Sequence, residues 1–261
     1  MEAIVKRIEL FGCPLDLASM DETVRVIGER IAQGVFTQHV VVNVAKLVHM
    51  REDRRLAAAV RGCDIVNVDG MGVVWGARAL GYHAPERVAG IDLFDRLLGL
   101  ASVQQIPVFL LGAKSDIVEL TANAVRQRYP EIQLAGFHHG YFWDNEEAVV
   151  NMVRQSGAKM LFVAITSPKK EVFIERWKEK LGVVFVMGVG GTFDVVAGRV
   201  SRAPRWMQRN GLEWAFRVIQ EPRRMWRRYL TTNSMFAWML MKELTLGRLG
   251  RHPQRIGRGR D

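Results

Sequence analysis

The sequence predicts an α/β fold: a mainly parallel sheet with helices on both faces, followed by a basic helical C-terminal appendage. Three observations lead there. Short branched apolar runs alternate with helical patterns through residues 1–198, the order that a parallel sheet covered on both faces requires. Loops carrying glycine or polar residues follow those runs, where such sheets build their binding crevice. Charge is segregated as well. Residues 199–261 carry fifteen Arg or Lys against four Asp or Glu, whereas residues 1–198 carry twenty-two against twenty-three.

Each element has its own reason. A helix over 21–33 opens on Ser19 or Asp21, both good N-terminal caps. The branched run at 39–44 reads as a strand and 53–61 as a helix. A short strand at 65–68 leads through Asp69 and Gly70 into helical spacing at 72–80, and a further helix fits 92–101. Strands follow at 107–111, 132–136, 160–165 and 183–187. Between them lie helices at 115–129, opened by Ser115 and Asp116, at 145–155, and at 168–181 with Pro168 in its first turn. There is no internal repeat. The division is a body over 1–198, an appendage over 199–246, and a Gly- and Arg-rich tail over 247–261 that is expected to be disordered.

With 261 residues, 49% of them hydrophobic, the chain can bury a large core. No apolar run reaches the eighteen residues of a membrane span, and Glu2, Lys6, Arg7 and Glu9 break any signal-peptide pattern. A cytoplasmic protein is expected. Cys13 and Cys63 have no metal spacing around them and read as small buried hydrophobes. His138 and His139 are adjacent, which suits loop packing or substrate hydrogen bonding better than metal ligation. No metal or cofactor is expected.

The net charge of +10 comes from the appendage and calls for a polyanionic partner. Four of the seven tryptophans lie between Trp206 and Trp238, and no nucleic-acid motif accompanies the arginines. An anionic membrane surface fits this mixture better than nucleic acid. On one continuous helical wheel Arg217 and Arg224 project within about 20° of each other and Arg227 within about 80° of Arg217. Pro222 marks where such a helix would break.

Among the loops, Gly188, Gly190 and Gly191 follow a strand and precede a helical run. They suit a phosphate cradle or a tight turn, but "GVGGTF" lacks the dinucleotide fingerprint, which disfavours a nicotinamide cofactor. In "SPKKE", Lys170 belongs to a phosphate-facing helix start or to a solvated first turn. Asp69 sits at the rim of the crevice, where capping the next helix is the commoner role for an aspartate.

The stretches "VVNVAKLVHM", "DIVNVDGMGVVW", "ERVAGIDLF", "VFLLGAK", "GFHHGYF", "SPKKE", "GVGGTFDVVAGRVSRAPRW" and "GLEWAFRVIQEPRRMWRR" occur in this order over residues 39–230. Together they resemble the WecG/TagA/CpsF family of bacterial glycosyltransferases. The resemblance implies a Rossmann-like α/β body and an appendage that completes the active site at the inner face of the plasma membrane. It also implies inverting, metal-independent transfer from a UDP-sugar to a polyprenyl-diphosphate-linked saccharide. The sugar is of the N-acetylmannosamine type, its uronic acid, or glucose. The family's catalytic base falls on Asp69, which replaces capping as its expected role. The family's substrate-pocket asparagine falls on Asn43 and the arginines of its appendage on Arg217, Arg224 and Arg227; Arg87, Asp92, His139, Lys170, Gly188, Gly190 and Gly191 are the further substrate-binding candidates. Val41 stands where the family usually has threonine, and Lys170 where it has glutamine. Both positions face substrates in the family, so they bear on sugar identity. Homo-oligomerisation is left open. The rival classes are another nucleotide-dependent α/β enzyme, such as an oxidoreductase, and a nucleic-acid-binding protein.

Overall fold

The computed structural model describes residues 6–248; the side chains of Arg209, Arg224 and residues 246–248 are outside that description. A hairpin of β1 (Lys6–Leu10) and β2 (Cys13–Leu17) opens the chain, followed by α1 (Met20–Ala32) and β3 (Thr37–Val42). Then come α2 (Val44–Glu52), α3 (Arg54–Arg61), β4 (Ile65–Val68), α4 (Met71–Ala79) and α5 (Gly90–Val103). Next are β5 (Val108–Gly112), α6 (Ser115–Arg128), β6 (Leu134–His138), α7 (Glu146–Gln155), β7 (Met160–Ala164), α8 (Lys169–Trp177), β8 (Phe185–Gly188) and α9 (Thr192–Val196). The appendage consists of α10 (Arg205–Arg209), α11 (Glu213–Gln220) and α12 (Pro222–Arg248).

The sheet has eight strands in the order β1-β2-β4-β3-β8-β7-β5-β6. Among the described residues only the β1–β2 pair is antiparallel. Alternate side chains of each strand point to opposite faces. On one face Leu110, Phe162, Phe185 and Met187 pack with α1, α5, α6 and α9. On the other, Val40, Val42, Val66 and Val68 pack with α2, α3 and α4, while Leu111, Leu161, Val163 and Val186 pack with α7 and α8. The chain therefore leaves β3 on one face and its neighbour β8 on the other. That divergence opens a crevice at their C-terminal ends.

Three local features differ from the sequence expectation. The β1–β2 hairpin was not foreseen, because its turn uses Phe11 and Gly12 at φ 53° and 77° rather than an Asn-Gly pair. Helix α2 was not foreseen, and the strand before it was read two residues too long; Val42 is the last strand residue, and Asn43 caps the helix by accepting from Lys46 N at 3.0 Å. The continuous wheel over the appendage does not exist, since α11 ends before Glu221 and α12 restarts at Pro222. Helix α12 extends two residues into the tail expected to be disordered; the remainder of that tail lies outside the described residues.

The appendage is docked on the body. Phe236 and Met239 of α12 are 7% and 2% exposed and belong to the apolar cluster of α2, α3 and α4. The Phe236 ring meets Phe11 edge-on at 5.7 Å. It also lies over Gly76 of α4, where a Cβ would come within 2.7 Å of Cζ. Cys13 and Cys63 are both buried, and burial pushes their thiols up to about 12, which keeps them unreactive.

Candidate active site

Strand register brings the first two site residues together. Val42 pairs with Val68, so Asn43 and Asp69 leave adjacent strand ends side by side, and Asp69 N donates to Val42 O at 2.8 Å. Gly70, at φ 121°, turns the chain into α4 with its Cβ position 3.8 Å from Asn43 Cβ. The cap residue of α4 is Gly70 and no side chain caps that helix. Asp69 is thus not spent on capping.

The appendage closes over this point. Gly211, at φ 69°, lies against Met71 so closely that a Cβ would fall 2.4 Å from Met71 Cγ. Only glycine admits this approach, which seats the start of α11 on the head of α4. Glu213 of α11 then ion-pairs with Arg87, whose Nη2 also donates to Gln208 O at 3.3 Å. Arg202 grips both oxygens of Asp92 at 2.6 and 2.7 Å and reaches Glu213 at 3.5 Å. The chain Asp92–Arg202–Glu213–Arg87 ties body and appendage together through paired guanidinium donors.

Asp69 sits among these charges. Its burial raises the carboxyl pKa above the ordinary value; Arg87 opposes that, Glu213 adds to it, and Arg217 and Lys46 oppose it. Tyr229 of α12 is raised by burial and feels Arg217, Arg228, Asp69 and Glu213. The part-buried carboxyl therefore faces charges from α2, the loop before α5 and α11. Such a group is a better base than a solvated one.

A second ionic cluster lies under the crevice between β3 and β8. Lys46 Nζ and Lys170 Nζ approach the same oxygen of Glu171, Oε1, at 2.8 and 2.9 Å. The three residues are 9%, 6% and 2% exposed. Burial and the neighbouring Lys46 lower Lys170 to about 8, whereas the two lysines outweigh burial and hold Glu171 at about 2. Lys170 is not a solvated first-turn lysine.

With this geometry in place, the comparisons with known proteins become informative. The profile of the glycosyl transferase WecG/TagA/CpsF family matches residues 8–250. The chain belongs to this family. It is 35% identical over 192 residues, 74% of each chain, to the N-acetylglucosaminyldiphosphoundecaprenol N-acetyl-beta-D-mannosaminyltransferase of Bacillus subtilis (strain 168). It is 36% identical over 180 residues, 69% of each chain, to the protein of the same name in Bacillus spizizenii (strain ATCC 23059 / NRRL B-14472 / W23).

In this glycosyltransferase, the structure brings Asn43, Asp69, Arg87 and Arg217 into one neighbourhood. Lys170 and Gly188 meet at the next strand end, since a Cβ on Gly188 would strike Lys170 Cε at 2.7 Å. Gly190 turns at φ 56° with its Cβ position open, and Gly191 is the N-terminal cap residue of α9. Asp92 is engaged by Arg202. His139 is not brought to the site: it follows β6, five strand spacings from β4, or about 24 Å away. Its Nδ1 accepts from Tyr141 N. Arg227 is exposed with its guanidinium 5.4 Å from the Trp226 ring centre, and the Arg224 side chain lies outside the described residues.

Sequence reasoning missed Lys46, Glu171, Arg202, Glu213, Arg228 and Tyr229. Lys46 carried a usable signal, standing one helical turn after Asn43. The ion pairs of Arg202 and Glu213 span 110 and 126 residues and have no local signature. Among the described residues, no three His, Cys, Asp or Glu side chains form a group that could hold a metal.

Proposed function

We propose that this glycosyltransferase moves a sugar of the N-acetylmannosamine type from a UDP-sugar to a polyprenyl-diphosphate-linked saccharide, by inverting, metal-independent displacement, in bacterial cell-surface polysaccharide synthesis. The observation that carries the reading is Asp69, an uncapped carboxyl raised by burial at the strand-end crevice of a chain whose relatives bear the mannosaminyltransferase name.

The step is one displacement. The acceptor hydroxyl oxygen bonds to the anomeric carbon as the bond from that carbon to the UDP β-phosphate oxygen breaks, and Asp69 takes the hydroxyl proton. Arg217 and Lys46, both within electrostatic reach of Asp69, are placed to meet the charge that develops on the leaving diphosphate. Arg87 and Glu213 hold α11 in position over this reaction.

Docking on an anionic membrane from the inner face fits the outer surface of the appendage. Trp206, Trp214, Ile219, Trp226, Leu230 and Trp238 are all exposed, interleaved with exposed Arg223, Arg227 and Arg228. Aromatic and basic side chains together favour the lipid–water boundary. Among the described residues no helix is long and apolar enough to cross a membrane.

The test is a screen of UDP-sugars against a short-chain polyprenyl-diphosphate N-acetylglucosamine acceptor, read as UDP release and product mass. Transfer of N-acetylmannosamine or a close derivative is expected. Absence of transfer from every UDP-sugar would overturn the reading.

A further inference from the structure

The displacement just described uses Lys46 but gives no role to Lys170 or Glu171, and the cluster the three form does not balance its charge. Lys46–Glu171 alone would make a complete ion pair between α2 and α8. Lys170 adds a second ammonium at 6% exposure, and Arg228 of α12 faces it with further positive charge. Burying an uncompensated charge is expensive, so a structural pair gains nothing from the extra lysine.

Its position is specific. Lys46 stands three residues after Asn43 at the end of β3, and the Lys170 stem lies across Gly188 at the end of β8. These are the neighbouring strands between which the crevice opens. Gly188 has no side chain to displace that stem, which crosses the end of β8 and brings the ammonium to Glu171. Lys46 is within electrostatic reach of Asp69 as well as of Glu171. The floor thus continues from the base toward a site with excess positive charge.

We propose that Lys170 and Lys46 form an oxyanion subsite for the sugar-nucleotide donor, taking either a carboxylate on the transferred sugar or an oxygen of the donor diphosphate. The inference rests on the transferase reading and refines its donor. An anion there neutralises the surplus charge and turns a costly burial into a charge-assisted contact. The protonated form of Lys170 is the binding form. Its pKa of about 8 in the free protein, set by burial and Lys46 against Glu171, makes donor affinity fade as pH rises through that value.

The experiment is calorimetric titration of the full-length chain with UDP, UDP-N-acetylhexosamine and UDP-N-acetylhexosaminuronate. Wild type is compared with Lys170→Gln and with Lys170→Met, which keeps the stem over Gly188. Both variants should melt at or above the wild-type temperature, because they remove a buried charge. If the subsite takes a sugar carboxylate, wild type binds the uronate donor at least tenfold tighter than the neutral one, and both variants erase that difference without changing UDP affinity. If it takes a diphosphate oxygen, all three ligands weaken at least tenfold together in the variants. In either case wild-type affinity for the sensitive ligands falls between pH 7 and pH 9, which tests the idea without a mutation. Binding of all three ligands that is unchanged within twofold in both variants overturns the subsite alone. No binding of any ligand by wild type overturns the transferase reading with it.

Discussion

Replacing Phe236 by alanine tests whether α12 belongs to the folded body or merely trails it. The ring is 7% exposed, seated on Gly76 and edge-on to Phe11, and it joins the cluster formed by α2, α3 and α4. Truncating a buried phenylalanine to alanine costs about 3–5 kcal/mol. The lower end applies here, because Met235 and Trp238 on the same helix are exposed and the site can relax toward solvent. A loss of about 3 kcal/mol is roughly a 150-fold shift in the docking equilibrium. If α12 melts with the body, the melting temperature falls by roughly 6–12 °C for a chain of this size. Turnover should fall with it, since undocking α12 removes Tyr229 and Arg228 from the site and loosens α11 with Arg217. Differential scanning calorimetry and a short-chain acceptor assay read the two effects together. A melting temperature within about 2 °C of wild type with unchanged turnover would refute the docked appendage and the enclosed site built on it.

Other expectations follow from single groups. Asp69→Asn should cut turnover by roughly a hundredfold or more, while the melting temperature stays or rises. The raised folded-state pKa means ionised Asp69 costs stability above its unfolded value, so a drop in stability without a kinetic defect would contradict the base assignment. For the same reason kcat/KM should fall on the acid side through a pKa above the ordinary aspartate value, which a pH–rate profile measures. Arg217→Lys should keep vesicle binding and lose activity if the guanidinium meets a diphosphate with paired donors; full activity would make it a simple tether. Activity should survive excess chelator, and its loss with rescue by magnesium or manganese would refute metal-independent transfer. His39 is buried against Asn67 and held neutral, its pKa lowered to about 4 by burial. Its stability contribution is complete above pH 6.5 and is lost as pH falls toward 4, about 3 kcal/mol in all. Urea unfolding at pH 7 and pH 4 should show a smaller acid loss in His39→Gln.

The body's parallel core strands were legible in the sequence because their apolar runs are short, branched and punctuated by glycine, and a buried parallel sheet leaves little else for such runs to be. Periodicity could not place the end of β3, since "HVVVNVAKLV" carries apolar residues on both sides of Asn43 and only the bond that Asn43 accepts from Lys46 N marks the change. The position of Asp69 after a strand was readable; its freedom from capping was not, because Gly70 takes the cap position only once the chain has turned at φ 121°. His139 and Asp69 both follow strands, and no local pattern tells that β6 is the far edge while β4 is one strand from the crevice. Strand order is set by how crossover helices pack, over distances that sequence spacing does not record. The same holds for charge. The surplus of arginine in the appendage was plain from composition, but its pairing of Arg202 with Asp92 and Glu213 with Arg87 depends on Gly211 yielding room to Met71. Composition determined that the chain would have a core and a basic arm. Close packing decided which charges face Asp69, because electrostatic partners are chosen by proximity in space and burial, and both exist only in the folded chain.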